Sequence, residues 1–220
     1  MIITIDGPAG SGKSTTAKNL AKALGFSFLD TGATYRAVTL CALEEKIDLK
    51  DASQMAQIAR DIDLKLLPDA ENNSLTVICN GKDISLAIRA EEVSRNAKYA
   101  ATPPEIREVL VELQRKIGAE LGNFVTEGRD QGTVVFPNAD FKFYTTTAPE
   151  VRAQRRVDQL AQMGETADFQ SVLADIKARD HSDETRAVGP LRKPDDAIII
   201  DTGSLNPTQV VEKMVEIVKE

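Results

Sequence analysis

The 220-residue chain carries one histidine and two cysteines, and these scarcities remove several chemistries at once. His181, in the polar run RDHSDETR, cannot alone make a histidine-rich metal centre and reads as a solvated surface residue. Cys41 falls in a helical pattern and Cys79 in a strand pattern, without CxxC spacing. Core packing in a reducing compartment accounts for both better than a metal site or a disulfide. No window approaches the roughly 18 apolar residues of a membrane span, and MIITIDGPAG lacks the basic n-region of a secretory leader. A cytoplasmic protein with no membrane partner is expected. Positive charge is short as well. A formal net charge of −7 argues against a nucleic-acid polymer as partner, because that binding needs many phosphate-neutralising cations on one face. No exposed apolar stripe stands out, so a monomer is the expected state.

What is present is an α/β rhythm. With 42% hydrophobic residues the chain can bury one sizeable core. Five strand-like runs recur at 2–6 (IITID), 26–30 (FSFLD), 123–127 (NFVTE), 140–145 (DFKFYT) and 197–201 (AIIID), most of them separated by helical patterns. Strands with little polar alternation, joined by helical crossovers, indicate a parallel sheet covered on both faces, with ligands at the strands' C-terminal ends. The first helix is expected from Lys13 to a stop at Gly25, the second from Ala33 to Glu45, and the last opens on Asn206 as N-cap with Pro207 in its first turn. Residues 62–88 break the rhythm: IDLKLL, SLTVICN and KDISLAI read as short strands punctuated by PDAENN and NGK. Helices over 87–100 and 104–121 follow. The expected division is a core of 1–61 and 104–220 around an inserted lobe of 62–103.

The chemistry starts at GPAGSGKS, Gly7, Pro8, Ala9, Gly10, Ser11, Gly12, Lys13 and Ser14, followed by Thr15. It satisfies the phosphate-loop pattern G-x-x-x-x-G-K-[ST] between a predicted strand and a predicted helix, the context that makes the motif specific. Glycines let backbone N–H groups wrap phosphates, and the helix N-terminus adds partial positive charge. Lys13 should reach the β/γ oxygens of ATP, and Ser14 should ligate Mg2+. A GTPase needs a guanine-reading N-K-x-D. NGKD at 80–83 has its lysine one place late and reads as a hairpin turn. A motor or transporter ATPase needs more chain and usually an apolar strand ending in a metal-binding acid. A small-molecule kinase fits the size best. Arginines stand where it needs them: Arg36 after the second strand, Arg129 after the third, Arg152, Arg155 and Arg156 on one side of a helix, and Arg179 and Arg186 around RDHSDETR. A non-catalytic nucleotide switch, or a kinase for UMP, AMP or a deoxynucleoside, remain the alternatives.

Beyond the phosphate loop, LDTGATYR (29–36), PPEIREVL after the insert, EGRDQGTVVFP (127–137), VRAQRRVDQL (151–160) and IKARDHSDETRAVGPL (176–191) give the chain a resemblance to bacterial cytidylate kinases along nearly its whole length. The resemblance implies a three-layer α/β/α P-loop kinase with a five-stranded parallel sheet, an NMP-binding lobe at 62–103 and a helical lid at about 152–186. It implies transfer of phosphate from Mg-ATP to CMP or dCMP. By the same resemblance Arg36 and Arg129 hold the CMP phosphate. Thr31, Arg107, Asp130 and Arg186 surround the pyrimidine, and Arg179 and Asp183 serve the ribose. Lys13, Arg129, Arg156 and Arg179 act on the transferred group. Cytosine offers its N4 amino donor to a carboxylate such as Asp130, whereas uracil offers O4, so CMP should beat UMP. Two positions depart from the family pattern: Lys98 stands where a serine near the base is common, and Gln131 where an apolar residue is common.

Overall fold

A computed structural model of the chain describes residues 1–69 and 74–220. The strand β1 (Ile2–Asp6) leads through the phosphate loop into α1 (Lys13–Leu24), then β2 (Ser27–Leu29), α2 (Thr31–Glu44) and α3 (Ala52–Asp61). A three-stranded antiparallel sheet follows, β3 (Leu64–Asp69), β4 (Ser74–Cys79) and β5 (Lys82–Asp83), with Leu64 opposite Cys79 and Ile78 opposite Asp83. Next come a 3-10 turn at Ala87–Arg89, α4 (Glu91–Asn96), α5 (Lys98–Ala101) and α6 (Pro104–Leu121). The chain ends with β6 (Phe124–Gly128), a π-turn at Gln131–Val135, β7 (Phe141–Thr146), α7 (Pro149–Gln162), α8 (Phe169–Thr185), β8 (Ile198–Asp201) and α9 (Pro207–Lys219). Five strands form one parallel sheet in the order β2-β6-β1-β7-β8, as the unbroken apolar runs require. In register, Ile3 stands beside Phe141 and Phe143 beside Ile198.

Two compact units make up the chain, one of residues 1–25 and 125–220 and one of 26–124. In the first, Ile3, Ile5, Phe143 and Ile200 are fully buried in the sheet, and α1 packs against α9, with Ala17 and Leu20 of α1 and Val210 and Met214 of α9 all buried. Asn206 caps α9 reciprocally with Gln209, and Pro207 occupies its first turn. In the second, Val38, Ala42, Met55, Ile58, Ile106 and Leu110 form one cluster that joins α2, α3 and α6. Shared burial of α2, α3 and α6 holds this unit together.

Departures from the expected elements are local. KDISLAI forms only the two-residue β5 before Ala87 turns into a 3-10 helix, and the expected helix over 87–100 is broken into that turn, α4 and α5. The α2 helix begins at Thr31 rather than Ala33, because Asp30 accepts from the Ala33 N–H and caps it. NGKD is a turn, with Asn80 and Gly81 both at positive φ (50° and 78°) between β4 and β5. Most of PDAENN lies outside the described residues. None of the described helices is long and apolar enough to cross a membrane.

Candidate active site

In the phosphate loop, backbone conformation does most of the positioning. Gly7 (φ 151°) runs so close to β7 that an added Cβ would stand 2.4 Å from Thr145 Oγ1. Gly12 is left-handed (φ 86°) and opens α1 with no side chain capping its first turn, which leaves that turn's N–H groups to an anion. Side chains brace the outside of the loop. Ser11 Oγ lies 2.9 Å from Thr145 Oγ1, and Thr202 Oγ1 donates to the Ser11 carbonyl at 3.1 Å.

Lys13 is buried, and its Nζ donates to the Pro8 carbonyl at 2.6 Å and to Ser11 Oγ at 3.4 Å. Burial first, and the neighbouring Arg129 charge second, lower its pKa to about 7, against the upward pull of Glu127, Asp6 and Asp183. Ser14 Oγ donates to Glu127 Oε1 at 2.6 Å. Asp6, at the end of β1, accepts from the N–H groups of Gln131 (2.9 Å) and Gly132 (2.7 Å), which pins the turn after Arg129 and Asp130. Burial raises the Asp6 pKa to about 6 despite those two bonds.

Beyond β6 the guanidiniums meet carboxylates. Arg129 Nε donates to Asp183 Oδ2 at 2.6 Å, and Arg186 Nη2 lies 3.9 Å from Asp130 Oδ1, with Asp130 only 4% exposed. Asp183 and Arg186 come from the end of α8, where the Asp183 carbonyl takes the Leu191 N–H and Arg186 Nε donates to the Gly189 carbonyl at 2.6 Å. In the other unit, Arg36 Nη2 donates to Asp30 Oδ2 at 2.8 Å, so the residue that caps α2 also orients its arginine. Thr31 is buried at the first position of α2. Arg107, also buried, lies 5.7 Å from the centre of the Tyr35 ring and donates to the Ala101 carbonyl at 3.3 Å.

Compared with known proteins, residues 3–220 match the sequence profile of the family described as cytidylate kinase. The chain belongs to the cytidylate kinase family. A cytidylate kinase of Caldanaerobacter subterraneus subsp. tengcongensis is 46% identical over 218 residues, which cover 99% of this chain and 94% of that protein. One of Carboxydothermus hydrogenoformans is 44% identical, with 99% and 97% covered. Among solved structures, shikimate kinase from Bacteroides thetaiotaomicron superposes with a TM-score of 0.50 at 11% identity, covering 100% of this chain and 99% of that one, a likeness of fold.

The cytidylate kinase resemblance singles out residues that the structure treats differently. Lys13 and Ser14 are gathered with Glu127 and Arg129, and Arg129 with Asp183, all inside one unit. Arg156 and Arg179 are exposed, and Arg156 donates to Gln159 Oε1 on its own helix. Arg152, Arg155 and Arg156 leave α7 on one side but end on different partners: Arg152 buries itself on backbone carbonyls and Asp180, while Arg155 donates to the Thr202 carbonyl. Lys98 is exposed with its ammonium 5.1 Å from the centre of the Tyr99 ring. Gln131 is buried and accepts from Thr126 Oγ1, which explains a polar residue there.

Sequence reasoning passed over Glu127, Asp6, Asp30 and Asp180. For Glu127 the signal was legible, since FVTE is an apolar strand ending in an acid, the pattern a metal-binding carboxylate follows in phosphate-loop proteins. Asp6 ends IITID in the same way. Asp180 had no local signal.

Proposed function

We propose that the protein transfers the γ-phosphoryl group of Mg-ATP to CMP or dCMP, giving CDP or dCDP in pyrimidine nucleotide metabolism. The observation that carries this reading is the meeting, in one unit, of a phosphate loop holding a buried lysine with the carboxylate–arginine group of Asp130, Arg129, Asp183 and Arg186. Full-length relatives named as cytidylate kinases support it.

ATP phosphates lie along the backbone of Gly7–Thr15, where Lys13 exchanges the Pro8 carbonyl for phosphate oxygen. The hydroxyl of Ser14 and the carboxylate of Glu127, 2.6 Å apart, are the hard oxygen donors that suit magnesium, and these two residues would hold it. When bound, the ion neutralises charge on the phosphate oxygens. Arg36 and Arg129 take the CMP phosphate, and Asp183 on Arg129 Nε orients that guanidinium. Asp130 accepts from the cytosine N4 amino group, with Thr31, Arg107 and Arg186 completing the base site. Arg179 and Asp183 hold the ribose.

An ionised CMP phosphate oxygen attacks directly, so the protein supplies position and positive charge rather than a general base. Arg156 leaves Gln159 and Arg179 turns inward as α7 and α8 close on the transferred group, which also excludes water. Localisation in the cytoplasm and a monomeric state belong to the same proposal.

The experiment is ADP formation from Mg-ATP with CMP, dCMP, UMP, AMP and GMP offered singly, on the native protein and on Asp130→Ala. Turnover is expected for CMP and dCMP. The variant should lose about 10²-fold in kcat/KM for CMP while keeping its KM for ATP, because a buried reader of a polar group is removed. Native turnover of UMP equal to CMP, or a variant unchanged toward CMP, overturns the cytosine-reading role.

A further inference from the structure

Arg152 is only 3% exposed and commits its guanidinium to four contacts. Nε donates to the Thr147 carbonyl at 3.0 Å, and Nη1 to the Ala9 carbonyl at 3.0 Å and to Asp180 Oδ1 at 3.0 Å. Nη2 donates to Asp180 Oδ2 at 2.6 Å. One side chain thus joins the phosphate loop, the segment after β7 and the middle of α8. Its stem lies against the loop, with a Cβ at Gly10 falling 3.5 Å from Arg152 Cβ.

The carbonyl contact has a direct consequence for anion binding. In a trans peptide the C=O of Ala9 and the N–H of Gly10 point in opposite directions, so anchoring the carbonyl sets the direction of a phosphate-loop N–H. Arg152 does this only while its own plane is fixed. Two carbonyl oxygens cannot neutralise a buried cation, whereas the two-pronged carboxylate of Asp180 supplies both the countercharge and the plane. Nothing in the proposed CMP site uses Asp180.

We propose that Asp180 is a positioning residue for the donor nucleotide: through Arg152 it holds the Ala9–Gly10 peptide in the orientation that receives the ATP phosphates. The role rests on the reading that Gly7–Ser14 binds ATP. It couples the loop to α8, the helix that carries Arg179 and Asp183, so the donor site and the acceptor-holding end of α8 share one partly buried ion pair.

The test is Asp180→Asn, which preserves shape but removes the charge and one acceptor. The KM for Mg-ATP and the calorimetric Kd for ATP are expected to rise about tenfold, with the KM for CMP within about twofold. Asp180→Glu should recover part of the loss. Arg152→Lys, which lacks the fork, should reproduce the same split, and combining it with Asp180→Asn should add little further. Should Asp180→Asn not fold, Arg152→Lys and Asp180→Glu carry the same comparison. Equal changes in both KM values, no change in either, or additive losses in the double variant overturn the positioning role. Failure of the native protein to bind ATP would instead overturn the function proposed above, so the two failures are distinguishable.

Discussion

The phosphate loop and the arginine–carboxylate group beyond β6 are built from different materials. The loop is one run of eight residues, Gly7–Ser14, in which glycine conformation and an uncapped helix start create the anion site. Beyond β6, Arg129 and Asp130 meet Asp183 and Arg186 from more than fifty residues further along the chain. A backbone site is a local property that a motif can specify. A side-chain site exists only once distant elements have been brought together, and each member needs a partner that the motif does not mention. The second unit repeats the lesson on a smaller scale, since Arg36 owes its placement to Asp30, six residues earlier.

Removing the lysine of the loop should have the largest effect. Lys13→Ala is expected to lower kcat by about 10³-fold, as loss of a preorganised charge on the reacting phosphates does, while CMP binding measured by calorimetry stays within a few fold. Parallel loss of CMP binding would break the separation between the two sites.

A smaller change is expected from Asp30→Asn, which keeps a helix cap but removes the charge that holds Arg36. The KM for CMP should rise about tenfold, a typical cost of loosening a phosphate-binding guanidinium, with the KM for ATP unaltered. An equal rise for ATP would show that the cap, rather than the arginine, had been damaged.

The subtlest expectation concerns protons. Burial lowers the Lys13 pKa to about 7 in the free protein, and triphosphate beside the ammonium favours its charged form. ATP binding should therefore take up part of a proton once the pH exceeds about 7, and little at pH 6, where Lys13 is already mostly protonated. Calorimetry in buffers of different ionisation enthalpy reads this directly. The same shift sets the sign for stability. The folded pKa lies below the ordinary 10.5, so the cost of burying the charged form is fully present below about pH 7 and is relieved as pH rises toward 10.5. Proton-neutral ATP binding at pH 8.5 would instead show that Lys13 is already charged in the free protein, as an exposed lysine is.

Much of the architecture was legible. IITID becomes β1 over the expected residues, α6 spans Pro104–Leu121 as read, and the Asn206 cap and Pro207 open α9. Each is dictated by periodicity, proline or a capping side chain acting within a few residues. KDISLAI was misread for the opposite reason: its alternating apolar residues suit a strand, but only Lys82 and Asp83 pair with β4, and Ile84 and Ile88 are buried around a turn. Arg152, Arg155 and Arg156 were read as one face. Helical spacing sets the direction in which a side chain leaves the helix, but it does not say which acceptors wait there.

By itself, the chain's order of residues determined the parallel-strand rhythm, the phosphate loop and its lysine, and the motifs that place it among cytidylate kinases, because each depends on neighbours in sequence. Only tertiary structure decided that Glu127 meets Ser14, that Asp6 pins the turn after Asp130, that Asp183 takes Arg129 and that Asp180 holds Arg152. Those pairings join residues 28 to 126 positions apart. A charge has no preferred partner until folding removes water from around it, and the partner is then whichever group the packed strands and helices deliver.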